Sequence, residues 1–203
     1  MLEVYYALPD GAGLRSEDLI RGLARTCYGL EGEELVLVRD EYGKPRFRDY
    51  PGLHFNLSHT EGLMVCGFSD QAVGLDVEGL SGYRQALVDS YFAPAEQAYV
   101  GGEGEGQDKR FTEIWTMKEA WLKWRGSGIG IPLEVFSVLD KKIVRPGWWG
   151  RFCLAVCSRE LEGEDPLRLR RIQVRNQALW AILDEDISLP SLGPEGREPG
   201  RNL

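Results

Sequence analysis

The 203-residue chain contains no run of about 18 apolar residues, so no segment has the length and apolarity of a membrane-spanning helix. Its first residues, Met1-Leu2-Glu3-Val4-Tyr5-Tyr6, lack the basic stretch that opens a secretory leader, and a cytoplasmic protein with no membrane partner is expected. Cysteine is scarce. Cys27, Cys66, Cys153 and Cys157 lie in apolar stretches without CxxC spacing, which points to buried free thiols rather than disulfides or a zinc site. Basic residues are outnumbered, 24 Lys and Arg against 32 Asp and Glu, giving a formal net charge of −8. That balance argues against nucleic acid as the main partner, because binding it is dominated by phosphate neutralisation. A small anionic ligand remains compatible if a local basic pocket and a metal hold it, and Lys44, His59 and Lys123 are the candidates for such a pocket. With 43% hydrophobic and 28% charged residues, the composition is that of a globular protein with one good core or two small fused ones.

What the chain does have is a pattern of carboxylates. Gly74-Leu75-Asp76-Val77-Glu78 reads as a strand, and alternation puts Asp76 and Glu78 on one face with Cα atoms roughly 6.6 Å apart. Two like charges that close need a cation. A third carboxylate, Glu119, lies in Trp115-Thr116-Met117-Lys118-Glu119-Ala120-Trp121-Leu122-Lys123, whose Phe111, Ile114, Trp115 and Leu122 form one apolar helical stripe. Glu119 falls beside that stripe, half-buried at a helix–sheet seam. Lys123, four residues on, is placed for an ordinary surface ion pair with Glu119, worth a few tenths of a kcal/mol. Asp76, Glu78 and Glu119 together suit a divalent metal acting on phosphate.

Four segments occur in an order that resembles the Sfp-type 4′-phosphopantetheinyl transferases: Gly43-Lys44-Pro45, Phe55-Asn56-Leu57-Ser58-His59-Thr60, Gly74-Leu75-Asp76-Val77-Glu78 and Trp115 to Lys123. Between and after them, Tyr91-Phe92-Ala93-Pro94-Ala95-Glu96 and Gly126-Ser127-Gly128-Ile129-Gly130 are similar to the family's helix start and glycine loop. The resemblance covers about residues 43–138, and four elements in register are far more specific than any one. It implies an α/β (α+β) fold of two similar fused subdomains, each a mostly antiparallel sheet packed with a long helix, with the active site in the cleft between them. The corresponding division is 1–78, 79–187 and a frayed tail at 188–203.

The resemblance also implies an activity. Coenzyme A is the cosubstrate, Mg²⁺ the metal, and the 4′-phosphopantetheine group passes to a serine hydroxyl of an apo acyl, peptidyl or aryl carrier protein, releasing 3′,5′-ADP. Asp76, Glu78 and Glu119 are then the metal ligands, Glu119 or a water beside it takes the serine proton, and Lys123 stabilises the departing phosphate. Gly43, Lys44 and Pro45 meet the nucleotide, Lys44 with its backbone at the adenine and its ammonium at phosphate. Ser58 and His59 belong to the segment that contacts coenzyme A phosphates. Lys118 is either pocket charge or a solvated surface residue, and His54 is structural. A departure concerns the N-terminus, where family members often carry basic residues before the first helix. Here Pro9-Asp10-Gly11-Ala12-Gly13-Leu14 carries no basic side chain, leaving Arg15, Arg21 and Arg25 as candidates for the 3′-phosphate. A monomer suffices for such a site. The competing readings are a Mg²⁺-dependent pyrophosphate hydrolase and a non-catalytic protein that binds coenzyme A or a carrier protein.

The remaining expectations are structural. Strands are expected at Leu2–Leu8, Glu34–Val38 and Leu53–Leu57, and a hairpin of Leu63–Phe68 with Val73–Val77. Helices are expected at Glu17–Tyr28 capped by Ser16, at Tyr83–Tyr91, at Pro94–Val100 and from about Gln107 to Arg125, with an acidic loop over 101–106. Val135–Leu139, Phe152–Cys157, Leu167–Val174 and Leu179–Leu183 read as strands of a second sheet.

Overall fold

Residues 4 to 7 alternate between two cores: Val4 and Tyr6 pack with Leu75 and Val77, whereas Tyr5 and Ala7 pack with Leu19 and Leu23. A strand that buries both faces lies between two layers. In the computed structural model this strand is central to a mixed α/β fold. The structure describes residues 1–8, 14–31, 35–102, 106–128, 130–161, 167–175 and 178–189, with backbone alone for 167, 174–175 and 178–189. Its elements are β1 (Glu3–Ala7), α1 (Ser16–Tyr28), β2 (Leu37–Arg39), β3 (Pro45–Phe47), β4 (His54–Thr60), β5 (Leu63–Ser69) and β6 (Val73–Gly79), followed by α2 (Gln85–Tyr91), α3 (Pro94–Val100) and α4 (Gln107–Arg125), then β7 (Val144–Trp149), β8 (Phe152–Ser158), β9 (Leu167–Arg175) and β10 (Ala178–Leu189).

Among the described residues three sheets form: β10-β9-β1-β5-β4, β6-β8-β7 and the short pair β2-β3. All pairings are antiparallel except β1 with β9. Helix α1 covers one face of the five-stranded sheet through Leu19, Ile20, Leu23 and Ala24. The other face packs on the three-stranded sheet, with Val4, Val65, Leu75, Val77 and Leu154 between them. The outer face of the three-stranded sheet, through Ala155 and Cys157, meets α4. The layers are therefore helix, sheet, sheet, helix, and each of the two larger sheets has one long helix of its own. No helix among the described residues is long and apolar enough to cross a membrane. All four cysteines are free, Cys27 half-buried and the other three buried.

Pairing groups the strands differently from chain order. The expected hairpin of β5 with β6 does not form: β5 pairs with β4 and β1, and β6 pairs with β8. Strands β9 and β10, expected in the second sheet, add to the first through β1. The boundary expected at 78/79 thus falls within β6, which belongs to the three-stranded sheet by its hydrogen bonds, and the segment after it supplies strands to both sheets. The strand expected at Val135–Leu139 is absent: Leu133–Val135 is a single 3₁₀ turn and Val144–Trp149 is the strand instead. Ser16 is the first residue of α1 rather than its cap, Arg15 occupying that position without a side-chain capping bond, while Gly29 ends the helix in the left-handed region. Glu34, residues 103–105 of the acidic loop, Ile129 of the glycine loop and residues 190–203 of the expected tail lie outside the described residues. Ser188 and Leu189 end β10.

Helix α4 is enclosed on almost every side, burying Phe111, Ile114, Met117, Ala120, Trp121 and Leu122 but also Thr112, Glu113, Thr116 and Lys118. Polar groups held there must be paired. Lys118, fully buried, is neither pocket charge nor surface residue: its ammonium binds Glu96 Oε2 at 2.8 Å and donates to the carbonyls of Leu133 and Phe136 at 2.7 and 3.0 Å. Glu113 accepts from the Tyr99 hydroxyl at 2.8 Å, and burial pushes its carboxyl up from 4.5 to about 7 against the opposing charge of Lys109. The folded state thus holds a proton there that the unfolded chain releases at lower pH. Stability from this group is complete below pH 4.5 and declines as pH rises toward 7. Glu113→Gln is expected to flatten that decline. Thermal midpoints at about pH 5 and about pH 7.5 should differ less in the variant than in the wild type, and an unchanged difference would rule out the assignment.

Candidate functional site

Strand β6 sends Val73, Leu75 and Val77 into the core between the sheets, so by alternation Gly74, Asp76 and Glu78 face α4. The helix crosses the strand at Gly74 with almost no clearance. A Cβ there would lie 2.1 Å from the Trp124 amide nitrogen and 2.2 Å from the Ala120 carbonyl oxygen, so only glycine allows this approach. The close crossing sets the last turns of α4, with Glu119 and Lys123, over Asp76.

Asp76 is buried, and its Oδ1 accepts from Lys123 Nζ at 2.6 Å and from Ser58 Oγ at 2.8 Å, while Lys123 Nζ and Ser58 Oγ are 3.1 Å apart. Lys123 therefore reaches across to the strand and does not form the surface pair with Glu119 that the four-residue spacing suggests. The other oxygen, Asp76 Oδ2, is buried with no hydrogen-bond partner among the described residues. Glu119 and Glu78 stand near enough to feel it. Both have carboxyls raised above the usual range, first by burial and next by the Asp76 charge, with Lys123 opposing. Three carboxylates with one ammonium among them leave an uncompensated negative site, and an orphaned carboxylate oxygen there fits a hard cation. Among the described residues no three such side chains already stand close enough to hold a metal by themselves. Mg²⁺ does not require that, since it commonly takes one or two carboxylates and completes its shell with phosphates and water.

Beside this cluster opens a pocket of about 240 Å³. One wall is Tyr42, Gly43, Lys44, Pro45 and Asn56, and the other is Glu119, Leu122, Lys123, Gly126 and Gly128. Apart from Asn56 of β4, the first wall comes from the β2–β3 turn and the start of β3, where Asp40 Oδ1 accepts from the amides of Tyr42 and Lys44 at 3.0 and 2.9 Å and Gly43 adopts φ 85°. That left-handed residue needs glycine. Asn56 Oδ1 accepts from the Leu75 amide at 2.8 Å, tying β4 to β6 one residue before Asp76.

The fold thus brings together Gly43, Lys44, Pro45, Glu119 and Lys123 in the pocket and Ser58, Asp76 and Lys123 in one hydrogen-bonded set, with Glu78 next to them. It does not bring Arg15 or His59 to the pocket lining. Arg15 is exposed at the start of α1 and pairs with Asp18 at 3.4 Å. His59 is exposed on β4, and by alternation it shares the α1 side of the sheet with Phe55 and Leu57, whereas Asn56 and Ser58 face β6. Lys44 lines the pocket with its stem, but its ammonium donates to main-chain carbonyls of Val73 at 3.0 Å, Lys123 at 2.5 Å and Trp124 at 3.5 Å. Asn56, Tyr42 and Leu122 are lining residues that sequence reasoning left off the site, although Asn56 and Leu122 sit inside the recognised motifs.

Residues 72–160 match the 4′-phosphopantetheinyl transferase superfamily. The 4′-phosphopantetheinyl transferase Sfp of Bacillus subtilis (strain 168) is 31% identical over 126 residues, covering 62% of this chain and 56% of that protein. The 4′-phosphopantetheinyl transferase psf-1 of Bacillus pumilus is 34% identical over 125 residues, covering 61% and 54%. The 4′-phosphopantetheinyl transferase AcpT of Salmonella typhi is 34% identical over 128 residues, covering 60% and 66%. The chain matches little more than half the length of the first of these relatives. By its motifs, its fold and these likenesses, the chain belongs to the 4′-phosphopantetheinyl transferase superfamily and is of the Sfp type.

Proposed function

We propose that the protein transfers the 4′-phosphopantetheine group of coenzyme A to a serine hydroxyl of an apo carrier protein, acyl, peptidyl or aryl, and releases 3′,5′-ADP. The observation that carries this is the buried Asp76, held through one oxygen by Lys123 and Ser58 and, among the described residues, without a hydrogen-bond partner at the other, beside a pocket lined by Glu119 and Lys123. Asp76 and Glu119, with Glu78 beside them, would hold Mg²⁺. Bound there, the metal would supply positive charge for pyrophosphate oxygens. The chain's own residues do the rest. Glu119, whose carboxyl is raised by burial and by Asp76, is suited to accept the serine proton. Lys123 has its ammonium at Asp76 and its stem in the pocket, so it can follow negative charge onto the departing phosphate. The pocket wall at Gly43–Pro45 receives the nucleotide end.

The test is to incubate the protein with an apo carrier protein, coenzyme A and Mg²⁺ and to weigh the carrier. A gain of one phosphopantetheine group supports transfer. Nucleotide cleavage without that gain would indicate a pyrophosphate hydrolase, and neither product would indicate a binding protein. Lys123→Met separates a catalytic role from a surface pair. We expect kcat to fall by about a hundredfold with a smaller rise in KM, because charge on the leaving phosphate develops chiefly in the transition state. Unchanged kcat with a small loss of thermal midpoint would remove Lys123 from the chemistry.

A further inference from the structure

We propose that Lys44 is a positioning residue, whose ammonium clamps the last turn of α4 to β6 and so sets Lys123 over Asp76, instead of itself binding the anionic ligand. The effect on turnover rests on the transferase reading above; the clamp itself does not.

The last carbonyls of any α-helix lack partners within the helix. In α4 the Leu122 carbonyl is taken by the amide of Gly126, at 2.9 Å, in the left-handed C-cap position with φ 69°. The next two carbonyls, of Lys123 and Trp124, receive the Lys44 ammonium at 2.5 and 3.5 Å. The third donor goes to the carbonyl of Val73 at 3.0 Å, the first residue of β6. An ammonium has three N–H donors and all are directed at main-chain oxygens, one on the strand and two on the helix. The positive charge also lies at the negative end of the helix dipole.

Three further features serve the same clamp. Gly74, next to Val73, lacks the side chain that would push α4 off the strand at that point. A Cβ on Gly126 would lie 3.3 Å from Lys44 Cδ, so this glycine leaves room for the lysine stem as well as turning the chain. The Lys44 backbone is fixed in turn by Asp40, which bonds its amide through the side chain at 2.9 Å and its carbonyl through the main-chain amide at 3.0 Å. Lys44 therefore acts on Lys123 through the backbone of Lys123 itself. The Lys123 side chain must then span from that carbonyl to Asp76 Oδ1, which it meets at 2.6 Å. A turn that drifts by an ångström would break this contact, and misplacement on that scale is costly in a catalytic site.

Lys44→Met keeps the stem and removes the donors. In hydrogen exchange, amides of residues 122–126 should lose protection by about tenfold, as expected for loss of charged hydrogen bonds, while those of β1 and β5 stay unchanged. Turnover of an apo carrier should show a lower kcat with little change in the KM for coenzyme A, and Lys44→Met combined with Lys123→Met should be no slower than Lys123→Met alone. Unchanged exchange at 122–126 overturns the clamp whatever the activity. So does a multiplicative loss in the double variant, or a rise in KM that disappears when coenzyme A lacks its 3′-phosphate, which would mean that the ammonium meets that phosphate. A wild-type protein that modifies no carrier defeats the transferase reading, and the exchange measurement then still decides the clamp.

Discussion

Asp76→Ala is expected to lower carrier modification by about a thousandfold or more while the protein remains folded. The effect should exceed that of any other single site change, because three dependencies converge on this carboxylate. It holds the Lys123 ammonium at 2.6 Å and the Ser58 hydroxyl at 2.8 Å, and its second oxygen is a buried acceptor with no hydrogen-bond partner among the described residues, the one proposed to meet the metal. Removing it leaves Lys123 without its anchor and the proposed metal without its most buried oxygen, and each loss alone is worth roughly two to three powers of ten in comparable sites. Stability should change little. Glu78 and Glu119 are raised first by burial and next by the Asp76 charge, and removing that charge relieves the second contribution, which offsets the two lost hydrogen bonds. Turnover and thermal midpoint measured on one preparation check both halves. A variant that keeps even a tenth of the wild-type rate at saturating Mg²⁺ would take Asp76 out of the site.

The candidate site is legible in the sequence through one periodicity and one resemblance. Strand alternation put Asp76 and Glu78 on one face, and four motifs in order fixed which helix would bring the third carboxylate. What the sequence hid was distance. Lys123 has a carboxylate four residues away, yet its partner is Asp76 on another element, because Gly74 lets the helix approach the strand to a separation no side chain would permit. Lys44 reads as a phosphate ligand, and a lysine in a turn shows no sign that three carbonyls from two other elements lie within its reach. Chain pairing was similarly hidden. β9 and β10 have the composition of strands, but nothing in their pattern names β1 rather than β7 as the neighbour, and strand β7, with Pro146 and Gly147 in its middle, breaks the usual composition altogether. The apolar stretch Val135–Leu139 imitates a strand. It does not need a ladder because Lys118 takes the carbonyls of Leu133 and Phe136, and Glu96 takes the amide of Val138 at 2.7 Å.

That last arrangement gives the largest expected stability effect in the molecule. Glu96 and Lys118 are each 0% exposed and 2.8 Å apart, one from α3 and one from α4. Glu96 does more than pair the ammonium. Its Oε2 also accepts from the Ala93 amide at 2.8 Å, closing the start of α3, and its Oε1 holds the Val138 amide, fixing the irregular segment behind α4. Glu96→Ala leaves a buried ammonium with two carbonyls, the Phe136 ring and the weaker influence of the Glu134 charge, and it takes the acceptor from two amides. Deleting one partner of a buried ion pair costs about 3–5 kcal/mol. For a domain of this size each kcal/mol lowers the thermal midpoint by about 2–4 °C, so a fall on the order of 10 °C is expected. Part of the cost is the uncompensated charge and part is the loss of the two amide contacts, and a second substitution separates them. Adding Lys118→Met removes the charge but restores neither amide bond, so the double variant should recover part of the midpoint and stop short of the wild type. Turnover well below the midpoint should stay near normal in Glu96→Ala, since Lys118 points to Leu133 and Phe136 while Glu119 lines the pocket. A single variant that melts within about 2 °C of the wild type would mean that the pair contributes nothing net and that α3 is held to α4 by its apolar contacts together with the Tyr99–Glu113 and Arg110–Val100 hydrogen bonds.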